Sequence, residues 1–236
     1  MLEGEHLVAV YAERHGAPES IVVAEEALAR PAIAALVDRH ADRAVVVPTK
    51  LFAELAVLPA GVGVLAVIAA PRPVASVPAG FCLLLDGIQD PGNVGSMLRT
   101  AAAAGVGQVL LSPQCAFAWS PKVLRAGQGA HFQLAIHEDV DLPAWAATYR
   151  AGGGEVVATV AAGGASLFAT PLAGDVALAI GNEGAGLSVA LVALASRRVT
   201  IPMPGGTESL NAAAAAAICL YECVRQRGGG VPHAAR

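Results

Sequence analysis

The sequence predicts an α/β protein: a mainly parallel sheet covered by helices on both faces over residues 81–228, preceded by a smaller α/β unit over residues 1–70. Three observations carry this reading. From Cys82 onward, short apolar runs alternate with helix-compatible segments, the pattern of βαβ units. Runs such as CLLLD and VALAI are apolar throughout rather than at every second residue, which marks strands buried on both faces. The stretch AAPRPVASVPAG, with Pro71, Pro73 and Pro78, reads as a linker, taken as residues 71–80.

The elements follow in order. Between Leu7 and Ile68 the pattern gives a helix with an acidic first half, a strand at IVVA, a helix from about Pro31 to His40, and strands at VVVP and GVLAVIAA. After the linker come CLLLD, a helix over 93–104, QVLLS, a helix near 120–127, HFQLAIH, a helix over 142–151, EVVATV, DVALAIG, a helix over 186–196, RVTIPM and a helix over 209–227. Asn93 and Ser209 are side chains suited to cap the helices they precede, with Asn211 in the first turn of the last one. Residues 229–236 read as a flexible tail.

Composition narrows the function classes. Hydrophobic residues make up 55% of the chain, but the long uncharged stretches are interrupted by Gly, Pro, Gln or Ser, which argues for buried α/β structure rather than membrane spans. The opening MLEGEHLVAVYAERHG is acidic where a signal peptide is basic and then apolar, so a cytoplasmic protein is expected. Cys82, Cys115, Cys219 and Cys223 form no CxxC pair and the six histidines no metal-ligand pattern; no metal is expected. A net charge of −4, with six Lys/Arg against nine Asp/Glu up to residue 75 and nine against ten thereafter, confines any polyanion site to a local patch.

Ligands of open parallel sheets collect at the loops leaving the strands' carboxyl ends. Three such loops stand out: DGIQDPGN, GNEGAGLS and PGGTESLN. None contains GxGxxG or GxxxxGK[ST], which disfavours a dinucleotide fold and a P-loop. Arg99 falls too early in its helix to serve the C-terminal dipole, so it meets either a salt-bridge partner or an anionic ligand; on residue type alone the former is the commoner use. Glu183 reads as a helix N-terminal acid or as part of a site whose glycines, Gly181, Gly184 and Gly186, admit close backbone approach. Three such loops on one sheet are less easily dismissed, since each brings polar side chains beside exposed backbone groups and together they could form one pocket.

LLLDGIQDPGNVGSMLRTAAAAG, LAIGNEGAGLS and IPMPGGTESLNAAAAAAICLYE resemble, in order and spacing, the three signature motifs of the SpoU family of RNA 2′-O-ribose methyltransferases in the SPOUT class. PKVLRAGQGAHFQLAI is similar to the segment between the first two. The resemblance covers about residues 81–227. Residues 7–68 more loosely resemble the L30e-like substrate-binding domain that precedes the catalytic domain in many members.

The resemblance implies a C-terminal trefoil knot, a homodimer, S-adenosyl-L-methionine as cofactor and structured RNA as substrate, ribosomal RNA first and transfer RNA as the alternative. It assigns cofactor binding to Gly181, Ile201, Leu210 and, less directly, Thr159, and catalysis to Arg99, Asn93, Glu183, Ser209 and Asn211. Because a guanidinium holds its proton to above about pH 12, Arg99 is expected to bind the phosphate beside the target ribose and stabilise the forming alkoxide rather than act as a free base. Asn93 and Glu183 would orient it. The competing readings are a catalytically inactive RNA-binding relative and a nucleotide-dependent oxidoreductase, the latter weakened by the missing glycine fingerprint.

Overall fold

The computed structural model describes residues 1–57, 62–71, 73 and 77–228. The tail at 229–236 and linker positions 72 and 74–76 lie outside the described residues. In the small unit, β1 (Leu2–Glu3), β2 (Ser20–Ala24), β3 (Ala44–Val47) and β4 (Val64–Val67) form one sheet in the order β1-β4-β2-β3, parallel only between β2 and β3. Around it lie α1 (Glu5–His15), α2 (Pro31–Arg39) and α3 (Thr49–Leu55). The sequence reading had no counterpart for β1 or α3. A two-residue strand has no period, and α3 buries only Phe52.

The larger unit carries β5 (Cys82–Asp86), β6 (Gln108–Leu111), β7 (Ala135–His137), β8 (Glu155–Thr159), β9 (Ala165–Ser166), β10 (Val176–Gly181) and β11 (Arg197–Thr200), paired in parallel in the order β7-β6-β5-β10-β8-β11-β9. Its helices are α4 (Pro91–Ala103), α5 (Pro121–Gly127), α6 (Leu142–Ala151), α7 (Val189–Leu194) and α8 (Ala212–Gln226).

The expected parallel sheet covered on both faces is what forms. Successive side chains of β5 go to opposite faces. Leu83 and Leu85 join a core with Leu178, Ile180, Met97 and Cys219, while Cys82 and Leu84 join a second with Ala177, Trp145 and Tyr149. Each fully buried Leu here contributes about 1.5–3 kcal/mol, so apolar identity at every position of the run is what the doubly covered strand demands. No described helix is long and apolar enough to cross a membrane.

Four expectations are corrected. The N-cap of α4 is Asp90, whose carboxylate accepts the Asn93 backbone N–H at 2.8 Å, with Pro91 in the first turn; Asn93 is therefore inside the helix. The N-cap of α8 is Asn211, whose side-chain oxygen accepts from Ala213 and Ala214 N–H at 2.9 and 3.2 Å, leaving Ser209 in the preceding loop. The helix expected over 186–196 shrinks to Val189–Leu194 because Asn182 and Gly186 exchange two backbone hydrogen bonds and hold the preceding loop closed. HFQLAIH divides: Ala130–Gln133 is a 3-10 turn that follows left-handed Gln128 and Gly129, and only Ala135–His137 is strand.

That turn joins the two units. Phe132 and Leu124 sit in the small unit's apolar core, where Phe132 meets Tyr11 edge-on at 5.4 Å. Trp119 lies 5.3 Å from the His131 ring, centre to centre. His131 is buried, and its Nε2 contacts the Ala118 carbonyl oxygen at 2.8 Å; since a carbonyl only accepts, Nε2 carries the hydrogen and Nδ1 is left without a partner.

Burial pushes the His131 pKa down to about 4, only partly opposed by the Ala118 bond. The unfolded chain takes up this proton near pH 6.5, the folded chain not until about 4. The neutral ring's contribution is thus whole above pH 6.5 and is lost as pH falls toward 4, by at most about 3 kcal/mol. Thermal melts from pH 7 to 4 should show this loss, and His131→Gln should flatten it.

Candidate active site

The chain lays down β5, β6 and β7 outward on one side of the sheet and returns for β8, β10 and β11 on the other. Order therefore reverses beside β5 and β10, the place where a crevice opens in parallel sheets. The loops leaving β5, β10 and β11 meet there.

The three loops are joined by side chains. Asn93 Nδ2 donates to Glu183 Oε1 at 2.9 Å, and Asn211 Nδ2 donates to Asn93 Oδ1 at 2.9 Å. The backbone N–H groups of Gln89 and Asp90 point at the same carboxylate from 3.5 Å, a long and weak approach. Because Asn211 spends its oxygen on the α8 N-terminus, its amide nitrogen must face Asn93; that fixes Asn93 with its oxygen toward Asn211 and its nitrogen toward Glu183. Burial pushes Glu183 up, but the Asn93 hydrogen bond and the surrounding backbone N–H groups outweigh it and hold the carboxyl below its ordinary range. Glu183 is ionised at neutral pH and is a poor proton acceptor there.

Beside this triad lies a cavity of about 370 Å³. Thr159, Gly181, Ile201 and Leu210, the expected cofactor residues, all line it, as do Glu183 and Ser209. Thr159 spends its hydroxyl on the Ala179 carbonyl at 2.8 Å, so it shapes the wall and has no hydrogen left to donate into the space. Gly181 cannot be another residue: an added Cβ would stand 2.2 Å from the Gly186 carbonyl carbon and from Leu187 N.

Arg99 stands apart. It is exposed on α4, does not line the cavity, and makes no ion pair or hydrogen bond among the described residues. Asn93 bonds both Glu183 and Asn211, and neither Asn93 nor Glu183 holds the guanidinium within one chain.

Sequence reasoning missed Asn182, Asp86 and Glu208. Asn182 ties the first two loops, donating to Gly87 O at 2.7 Å and accepting from Gly184 and Ala185 N–H at 3.0 and 2.9 Å. Asp86 accepts the Ser188 N–H at 2.8 Å, and Glu208 adds a second carboxylate to the cavity. The available signal was position: Asp86 ends a strand, and Asn182 sits between glycines, where a short polar side chain closes turns. Among the described residues no group of three or more His, Cys, Asp or Glu could hold a metal ion.

Residues 80–221 match the sequence profile of the SpoU rRNA Methylase family. The chain belongs to that family. A relative from Bacillus subtilis, named 23S rRNA (guanosine(2553)-2′-O)-methyltransferase RlmP, is 40% identical over 139 residues, 59% of this chain and 56% of the relative. The 23S rRNA (uridine(2479)-2′-O)-methyltransferase of Streptomyces viridochromogenes is 37% identical over 153 residues, covering 63% and 53%. The chain thus spans about half the length of these curated relatives. Among solved structures, the SpoU methyltransferase AviRb of S. viridochromogenes, in complex with AdoMet, superposes with a TM-score of 0.83 at 29% identity over 97% of this chain and 90% of that one. The fold likeness therefore extends through the small unit, beyond the residues of the SpoU profile.

Proposed function

We propose that this protein transfers a methyl group from S-adenosyl-L-methionine to a ribose 2′-hydroxyl in structured RNA, ribosomal RNA before transfer RNA. The observation that carries the reading is the Asn93–Glu183–Asn211 network, drawn from three distant loops and set beside a cavity lined by Gly181 and Leu210.

The cavity suits the cofactor. Its apolar walls come from Ile201, Leu210 and Met203, and Gly181, Gly184 and Gly186 leave backbone groups uncovered by side chains, which fits a flat base. Glu183 and Glu208 add carboxylates favourable to a sulfonium cation. When bound, S-adenosyl-L-methionine supplies an electrophilic methyl group.

The chain's own residues supply position and charge. Asn93, itself held by Asn211, keeps Glu183 in one orientation. Ser209, exposed and without a hydrogen-bond partner among the described residues, offers its hydroxyl to the nucleotide. Arg99 takes the phosphate beside the target ribose and favours the 2′-alkoxide as the proton leaves. Lys122 and Arg125 are likewise exposed and without ion pairs among the described residues, on α5, which packs so closely on α4 that a Cβ at Gly95 would stand 2.5 Å from Ala126 Cβ. These exposed cations on α4 and α5 are the candidates for phosphate contacts in a chain whose net charge is −4.

In the same reading the segment from β11 through α8 closes a trefoil knot, two copies associate, residues 1–70 grip structured RNA as an L30e-like unit, and the work is done in the cytoplasm beside ribosomal RNA. The relatives' names support ribosomal RNA. The deciding experiment maps ribose methylation in total RNA from cells with and without the protein. One lost 2′-O-methyl in ribosomal RNA is expected, a loss confined to transfer RNA redirects the substrate, and no loss anywhere overturns the enzyme reading.

A further inference from the structure

Gly87 opens the loop that runs from β5 toward Asn93, and its backbone is gripped from both sides. Its N–H donates to Ser112 Oγ at 2.9 Å, and its carbonyl accepts from Asn182 Nδ2 at 2.7 Å. Ser112 directly follows β6 and Asn182 directly follows β10, the strands on either side of β5. A glycine with φ at +71° has no Cβ to restrict its dihedrals, so a hydrogen bond on each of its two peptide groups is what fixes them.

Ser112 is itself held. It is 7% exposed, its N–H donates to Leu85 O at 3.0 Å, and its Oγ lies 3.8 Å from Cys115 Sγ. The Cys115 thiol donates its one hydrogen to Leu85 O at 3.2 Å, so Ser112 is the donor toward the sulfur and turns an Oγ lone pair to Gly87.

Each end of this clamp leads to one member of the candidate site. Beyond Gly87 the loop reaches the Asp90 cap and Asn93. Asn182 is next to Glu183, and its Oδ1 accepts the Gly184 and Ala185 N–H groups at 3.0 and 2.9 Å, which closes the loop around that carboxylate. The Gly87 backbone is therefore a joint between the loop bearing Glu183 and the loop bearing Asn93. Ser112 does not line the cavity beside Glu183, and its own partners are Gly87, Leu85 and Cys115.

We propose that Ser112 is a positioning residue for methyl transfer: through the Gly87 backbone, held from the other side by Asn182, it sets where Asn93 meets Glu183. The inference rests on the methyltransferase reading and adds a buried hydroxyl that aligns the site from a neighbouring strand end without touching substrate or cofactor. A misplacement of about 1 Å in a transfer reaction costs about a hundredfold in rate.

The test compares the wild-type protein with Ser112→Ala and Ser112→Thr, using total ribosomal RNA from cells lacking the protein and methyl-tritiated S-adenosyl-L-methionine. Ser112→Ala should lower kcat about ten- to a hundredfold and leave the KM for RNA and the Kd for the cofactor within about threefold. Ser112→Thr keeps the hydroxyl and should restore kcat. The side-chain NH2 signal of Asn93, followed by NMR in isotope-labelled protein, reports its bond to Glu183 without any reaction; it should shift in Ser112→Ala and return in Ser112→Thr. An unchanged kcat in Ser112→Ala would overturn the inference, as would a rate loss with the Asn93 signal unmoved, because Ser112 would then act elsewhere. The two readings fail separately: an inactive wild type whose Asn93 signal still shifts in Ser112→Ala sinks the reaction and keeps the alignment, and an active wild type whose signal does not shift sinks the alignment alone.

Discussion

Arg99→Ala is expected to lower kcat for methyl transfer about a hundred- to a thousandfold while the Kd for S-adenosyl-L-methionine stays within threefold. The split follows from geometry: the residue is exposed on α4, does not line the cavity beside Glu183, and its side chain has no partner among the described residues to lose. Among the described residues nothing engages its guanidinium, which leaves it available to a ligand. Arg99→Lys should recover part of the rate, since an ammonium keeps the charge but not the forked donors. Single-turnover transfer to ribosomal RNA and calorimetric titration of the cofactor read the two quantities separately. Full activity in Arg99→Ala would remove the residue from the mechanism.

Gly181→Ala should abolish cofactor binding and destabilise the protein by about 1–3 kcal/mol or more, the cost of forcing a methyl group into packed structure. The atoms in its way are backbone of Gly186 and Leu187, which cannot swing aside as a side chain would. Relief requires moving the 182–188 loop, which carries Glu183 and borders the cavity. Gly184→Ala is the control. Its nearest neighbour is the Asn182 side-chain oxygen at 3.6 Å, and its backbone is not left-handed, so binding should persist. Cofactor titration with thermal melts of both variants checks this, and normal cofactor affinity in Gly181→Ala would exclude the cavity as the binding place.

Much of the larger unit was legible because burial on both faces forces continuous apolar runs: CLLLD and VALAI became the central neighbours β5 and β10. Strand order was not legible. Nothing local in EVVAT states that β8 pairs with both β10 and β11, since that choice is made by packing across the whole sheet. The Asp90 cap could have been read from Asp followed by Pro, a common helix start. The turn at Ala130–Gln133 could not, because Phe132 within it satisfies the small unit's core rather than any local period. In the candidate site, motif order singled out Asn93, Glu183 and Asn211, which the structure brings together, and residues that line the cavity beside them. It gave no hint that the amides would bond one another and leave Arg99 free, because that depends on which oxygen the α8 N-terminus claims first.

The aromatic seam formed by Tyr11, Phe132, Trp119 and His131 has a consequence for substrate selection. Under the proposal that residues 1–70 grip RNA, a front unit packed this way against the larger one sets the span between its surface and the candidate site. The protein would then act as a fixed gauge: it accepts RNA whose own fold already matches that span and passes over the same nucleotide in a differently shaped context.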